Sequence, residues 1–502
     1  MSSKGCTRRQ FLSGTVALAS LSLMRSPTAA AYLQELGGLG WVDGGRLQVE
    51  GYTTRRSYLA GEQITLCMSS AWRTRSIVTV QRLGAETETV WTATMWVEAK
   101  GIPADASEQG CGWEHGDGNL TFEAPSEWPT GVYRVMMSMP PVEQGQRPGE
   151  AWFVIRSPDP GQDSKVLLVL SSNTYFAYNN YGARHQLTGA TTNGSFYDRA
   201  RQASFLRPLP RGFISPCDCR DSDEPSRQHR YAGWDKWEWP FVAWAEREGF
   251  VLEYATNEDL ERHPGLLDSY RLVLSVGHDE YWSTGMRNTL ERYIRTGGNV
   301  AFFSGNVCYR NVQIGFRSSR LDLVGEMDGE ALWSHRHGPN RPENQLTGVS
   351  FCYGALNPEP VPYTIYQPRH WVFDGLWSGR GKPGFFPQVG RVGYECDGCD
   401  IEWSHGLPVA SHRDGTPEGF DILGFAPGRM PDYEATVHSK ALFGLENGFT
   451  PWGHDLRQGA AVLGLRTERG TVFTVGCTEW ARQLEDPFVA QITRNVLKRL
   501  SR

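Results

Sequence analysis

Arg271-Leu-Val-Leu-Ser-Val276 runs straight into Gly277-His-Asp-Glu-Tyr-Trp282, and the reading of the fold starts at that junction. An unbroken apolar run of this length, closed by glycine and followed by a helical pattern, marks a strand buried on both faces of a parallel sheet. Thr284 to Arg295 supplies the helix, stopped at Gly297-Gly298. The alternation repeats outward. Val166-Leu-Leu-Val-Leu170, Val251-Leu-Glu-Tyr254 and Asn299-Val-Ala-Phe-Phe303 read as further strands. Trp239 to Gly249 reads as an amphipathic helix and Pro487 to Leu500 as the last helix. Residues 172–232, rich in Gly, Asn, Arg and aromatics with little periodicity, read as a long functional loop. Strands alternating with helices predict an α/β domain of three layers, with a mostly parallel sheet, over residues 163–502.

Residues 46–156 follow a different rhythm. Period-two alternation in Arg46-Leu-Gln-Val-Glu50, Gln63-Ile-Thr-Leu-Cys67 and Ile77-Val-Thr-Val-Gln81 predicts half-buried strands. A turn at Trp128-Pro-Thr-Gly leads into another strand ending at Met137, and Ala151-Trp-Phe-Val-Ile155 closes the set. Short strands between turn residues predict an immunoglobulin-like β-sandwich. Arg156-Ser-Pro-Asp-Pro-Gly161 reads as the linker after it.

At the other end of the argument stands the leader. Arg8 and Arg9, then Phe11 and Leu12, then a weakly apolar run from Val16 to Met24 and small residues at Ala29, Ala30 and Ala31, match a twin-arginine signal peptide over residues 1–31. The apolar run is too short and Ser-rich for a stable membrane span. The expected location is therefore periplasmic or secreted, and a protein exported after folding takes up any metal before it leaves.

A chain of 502 residues is too long for one hydrophobic core, which fits two domains. The formal net charge is −6 and no basic run follows the leader, which argues against a nucleic-acid partner. The composition leaves homo-oligomerisation open. Among ten cysteines, Cys217 and Cys219 form a C-x-C and Cys396 and Cys399 a C-x-x-C. Disulfides or free thiols suit an oxidising compartment better than a zinc site built from such pairs.

In open α/β sheets ligands bind beyond the C-terminal strand ends. Four such ends carry unusual residues: Ser171 to Tyr178, Gly277 to Trp282, Ser304 to Asn306, and Gly476-Cys-Thr-Glu-Trp480 after Val472-Phe-Thr-Val475. Asp279 or Ser283 would cap the following helix and His278 would bond the backbone, but capping alone does not call for His, Asp, Glu and Tyr together. Glu479 is a carboxylate at the fourth end. Cys308 lacks the strand-turn-helix context of a nucleophile elbow and reads as a buried thiol, and no G-x-S-x-G occurs.

Leu274-Ser-Val-Gly-His-Asp-Glu-Tyr-Trp-Ser283, with Gly297-Gly-Asn-Val300 and Ser304-Gly-Asn306, resembles the C-terminal module of the N,N-dimethylformamidase large subunit. Gly393-Tyr-Glu-Cys-Asp397 and Gly476-Cys-Thr-Glu-Trp480 extend the resemblance over roughly residues 165–500. It implies a glutamine-amidotransferase-like fold, a small amide substrate, and one Fe(3+) ion held by two tyrosines and a glutamate. Tyr281 matches one tyrosine ligand. The ligand glutamate falls in Gly325-Glu-Met-Asp-Gly-Glu-Ala-Leu-Trp333, as Glu326 or Glu330. Glu479 matches a second carboxylate close to the metal, and Glu479 and His278 are the candidate catalytic residues. The second tyrosine is expected just before the helix near Pro240, where this chain has Trp237-Glu238-Trp239; either Tyr231 serves or that ligand is missing. The resemblance thus implies a metal-dependent hydrolase of C–N bonds. The competing expectation is a metal-free exported protein that binds carbohydrate or another ligand on the same fold.

Overall fold

The computed structural model describes residues 49–70, 72–140, 148–181, 195–196, 200–216, 230–324, 331–378 and 381–502. The leader, Cys217, Cys219, Glu326 and Glu330 lie outside these residues.

The first part of the chain is built of two sheets. One has three strands, Glu50–Thr53, Gln63–Ser69 and Leu120–Glu123, in that order across the sheet. The other has five, ordered Ser57–Leu59, Gly149–Arg156, Gly131–Ser138, Thr74–Leu83 and Thr87–Val97. Alternating inward residues explain why they pack. Ile64, Leu66 and Met68 from the first share one core with Val78, Val80, Tyr133 and Phe153 from the second. Burying each such side chain is worth about 1.5–3 kcal/mol.

A nine-stranded sheet carries the rest. Its order is Glu253–Thr256, Val166–Leu170, Leu272–His278, Asn299–Gly305, Thr471–Thr474, Ala460–Thr467, Asp421–Pro427, Val361–Ile365 and Gln388–Val392. The first five strands pair in parallel and the remainder antiparallel. Val166–Leu170 and Leu272–His278 are buried at every position, which is why neither shows alternation in sequence. Helices Glu238–Arg247 and Thr284–Arg295 form near the positions their patterns predict. Of the two capping candidates, Ser283 is the cap: its hydroxyl accepts from the Met286 N–H at 3.2 Å.

Residues 172–232 differ from the loop reading at their start. Ser172–Tyr178 is a helix with every residue buried. It has no solvent face, so it offers no amphipathic period to read. Among the described residues, no helix is long and apolar enough to cross a membrane.

The two parts are joined by polar contacts, of which the Arg56–Glu258 pair is buried. Arg56 donates to Glu258 (Nε to Oε2, 3.0 Å), Arg156 pairs with Asp259 at 3.2 Å, and the Trp239 indole N–H donates to the Gly84 carbonyl at 3.0 Å.

Candidate functional site

Register sets the site. Leu272–His278 and Asn299–Gly305 run parallel with Gly277 opposite Ser304 and His278 opposite Gly305, so both strands end at one rim. The helix that follows Val166–Leu170 ends at that rim with Tyr178, and the backbone after Asn299–Gly305 presents Asn306 there.

His278 is the centre of the cluster. Its Nδ1 lies 2.6 Å from the Tyr231 carbonyl oxygen. Its Nε2 lies 2.8 Å from Glu395 Oε2 and 3.4 Å from Glu280 Oε2. Burial alone would push the imidazole toward its neutral form, but the charges and hydrogen bonds of Glu395 and Glu280 outweigh it and hold the pKa well above the ordinary value. With a carbonyl on one nitrogen and carboxylates on the other, the ring is an imidazolium.

Glu280 is shared further. Tyr178 donates its phenol O–H to Glu280 Oε2 at 3.0 Å, and the Arg310 guanidinium lies 3.5 Å from Oε1. Glu434 feels the same field: burial raises its pKa, Arg310 opposes, and Glu395 and Glu280 add to the rise. The Glu395 side chain is 10% exposed and that of Arg310 11%, against 1% for His278 and Glu280. Tyr231 and Tyr394 stand ring to ring at 5.3 Å on the side of the Tyr231 carbonyl.

Behind this front lies a second row of polar groups that fixes it. Asp397 accepts the backbone N–H groups of Asn306 (2.8 Å) and Val307 (3.2 Å); burial pushes its carboxyl up to about 7 against those bonds. Asp279, raised to about 6 by burial, accepts from Ser275 at 3.0 Å and Asn257 at 3.3 Å. It anchors the turn and does not cap the helix. On the other flank, Tyr309 hydrogen-bonds His438 Nε2 at 2.8 Å. Burial and Arg310 push that histidine down to about 3, so it is neutral.

Of the residues singled out from sequence, His278 sits in the cluster and Tyr281 borders it. Tyr281 is fully buried, its ring 6.3 Å from that of Tyr178 and 5.5 Å from that of Phe196. Glu479 stands at the outer edge. Its carboxylate pairs with Arg482 at 2.8 Å, and its backbone N–H reaches the Gly393 carbonyl, one turn of chain from Glu395. Tyr231 contributes its carbonyl to His278. Cys308 is buried, with its thiol pushed up by burial, as expected of a packed sulfur. Glu280, Glu395, Tyr178 and Arg310 were not assigned from sequence. Glu395 could have been noticed as the one glutamate inside Gly393-Tyr-Glu-Cys-Asp397; Arg310 gave no signal.

The cluster brings three carboxylates, Glu280, Glu395 and Glu434, against one guanidinium and one imidazolium, with phenols beside them. Among the described residues no group of three or more His, Cys, Asp or Glu side chains is placed to hold a metal ion.

Residues 77–494 match the family described as N,N-dimethylformamidase beta subunit-like, C-terminal. The N,N-dimethylformamidase beta subunit of Paracoccus aminophilus is 23% identical over 303 residues, spanning 54% of this chain and 38% of that relative. The chain thus covers well under half of that protein's length. Solved structures are only faintly similar. Spo0M, a sporulation control protein from Bacillus subtilis, covers 22% of this chain and 49% of its own at 12% identity and a TM-score of 0.15. Bacteroides uniformis beta-glucuronidase 2 covers 51% of this chain and 22% of its own at 12% identity and a TM-score of 0.13. Scores this low carry no argument about fold or function.

Proposed function

This chain belongs to the N,N-dimethylformamidase beta subunit-like family, and from that membership we propose a hydrolase that cleaves the C–N bond of small amides. The observation that carries the proposal is the His278 imidazolium held between Glu395 and Glu280 at the rim of the parallel strands. Amide hydrolysis needs one group to take a proton from water and another to give one to the leaving nitrogen. Glu395, the more exposed of the two carboxylates on His278, takes the water proton. His278 Nε2 gives its proton to the amine, and the 2.8 Å contact returns the proton from Glu395 to His278, which closes the cycle. Asn306, 3.4 Å from both His278 Nε2 and Glu395, and Arg310 orient the pair.

The family resemblance also implies Fe(3+). Tyr281, with Glu326 or Glu330, would hold it, and Tyr178 offers the second phenol that residues 237–239 lack. Bound there, the ion would supply Lewis acidity toward the amide carbonyl. Glu479 is the second carboxylate that the resemblance implies close to the metal, its side chain paired with Arg482 at 2.8 Å. The parallel strands support the glutamine-amidotransferase-like reading of residues 163–502, and the two packed sheets support the immunoglobulin-like one. The leader would deliver the folded enzyme to the periplasm or the outside of the cell.

The test is amine release from a series of formamides and acetamides by protein purified without chelator. His278→Gln and Glu395→Gln should each lower kcat about 10²–10⁴-fold with a smaller change in KM. Wild-type rates shared by both variants on every amide would end the proposal.

A further inference from the structure

Cys396 and Cys477 face each other across an isolated antiparallel bridge. The flanking backbone bonds run from Asp397 N–H to the Gly476 carbonyl at 3.0 Å and from Thr478 N–H to the Glu395 carbonyl at 3.1 Å. That pattern puts the two cysteines at a non-hydrogen-bonded position, where α-carbons approach to about 4.5 Å. Disulfides form at α-carbon separations of about 4.4–6.8 Å. Both side chains are fully buried as free thiols, and the Cys477 thiol donates to the Gly393 carbonyl oxygen at 2.8 Å, next to Tyr394 and Glu395 on the Cys396 segment.

The surrounding glycines hold the two segments this close. A Cβ on Gly476 would meet the Asp397 carbonyl at 2.5 Å, and one on Gly305 would meet the Glu395 carbonyl and Thr478 N at 2.7 Å. Cys399, the sequence neighbour in the C-x-x-C, packs instead with Val349, Ile401 and Phe420.

We infer that Cys396 and Cys477 form a disulfide, a covalent staple between the Glu395–Gly398 strand and the segment that follows Thr471–Thr474. The staple positions the site and takes no part in chemistry. It fixes the two residues that flank Cys396: Glu395, which holds His278, and Asp397, which holds the Asn306 backbone. The oxidant is a small disulfide such as glutathione disulfide. One cysteine thiolate attacks it and releases one thiol; the second displaces the other thiol from the mixed disulfide. Two protein thiols and one disulfide give one protein disulfide and two small thiols. Because the pair is buried, the exchange takes place while these segments are apart, either during folding or during a later local opening in an oxidising compartment.

The experiment refolds the full chain in glutathione redox buffer and, separately, in excess dithiothreitol. Free thiols are then alkylated under denaturing conditions and the unreduced digest is mapped by mass spectrometry. The expected result is a Cys396–Cys477 linked peptide, two hydrogens lighter than its parts, in the oxidised sample alone. The oxidised wild type should also melt above the reduced one, and Cys477→Ser should erase both the linkage and that difference. Full alkylation of Cys396 and Cys477 in the oxidised sample, or linkage of Cys396 to Cys399, overturns the inference. The wild-type map decides the matter even where the variant fails to fold.

Discussion

His278 Nε2 stands 2.8 Å from Glu395 Oε2 while the histidine side chain is 1% exposed and the glutamate 10%. A charge pair this far from water is expensive unless each partner's remaining capacity is used. Here it is: the Tyr231 carbonyl accepts a hydrogen bond from Nδ1–H, and Glu280 shares Nε2–H with Glu395.

The pair makes stability depend on pH in a defined sense. The folded pKa of His278 is raised, so its stabilising contribution is complete below the ordinary histidine value of about 6.5 and is lost as pH rises through the folded value. Urea midpoints of wild type should fall on the alkaline side, and Glu395→Gln should bring that fall to lower pH. A variant whose midpoint tracks wild type at every pH would show that the glutamate does not charge the ring.

The metal reading makes a spectroscopic prediction. Folded protein purified without chelator should carry iron and a ferric tyrosinate band in the visible, which Tyr281→Phe abolishes. Tyr178→Phe should weaken or shift the band and also release Glu280 from its 3.0 Å bond. Colourless, iron-free wild type would remove iron from the proposal and leave the His278 pair to act without it.

What could be read beforehand follows from local physics. Leu272–His278 and Val166–Leu170 are legible because burial on both faces leaves them apolar but for Ser275 and the terminal His278. Thr284–Arg295 is legible because its cap, amphipathic face and glycine stop all lie within the helix and its flanks. The candidate site is legible only where it coincides with a strand end, as at His278. Glu395 and Arg310 reach His278 and Glu280 through tertiary packing, and their own neighbourhoods say nothing of it. Ser172–Tyr178 escaped because a helix with no exposed side has no period. The cysteine pairing escaped for a related reason: Cys396 lies nearer in sequence to Cys399, while the sheet puts it against Cys477.

Glu238 offers a test of a buried acid outside the His278 pair. It is fully buried, accepts the Ser171 N–H at 3.2 Å, and is pushed up to about 8 by burial despite that bond. The folded state therefore holds this proton more tightly than the unfolded chain, and stability falls as pH rises from the unfolded value near 4.5 to about 8. Glu238→Gln removes that slope. Its stability relative to wild type should improve across this window, by about 2–5 kcal/mol at the alkaline end, and stay level beyond it. A constant difference at all pH values would mean that folding leaves the Glu238 pKa unshifted.

The last prediction concerns the seam between the two parts of the chain. The Arg56 guanidinium lies over the Phe205 ring at 4.2 Å and donates to Glu258, which also receives Arg262 at 2.5 Å. Burial raises the Glu258 pKa, but the two arginines outweigh it and the net shift is downward. Its contribution is thus present above the ordinary carboxylate range and is lost as pH falls through the folded value. The side chains of Arg56 and Glu258 are only 6% and 11% exposed, so Glu258→Ala strands a guanidinium inside the seam. Removing one partner of such a pair costs about 3–5 kcal/mol. Urea unfolding at neutral pH should show that loss, with a first transition that frees the N-terminal sheets before the nine-stranded sheet melts. At acid pH the wild type should drop toward the variant. Equal stability of the two proteins at neutral pH would show that the seam is held by its apolar and backbone contacts, with the ion pair contributing nothing.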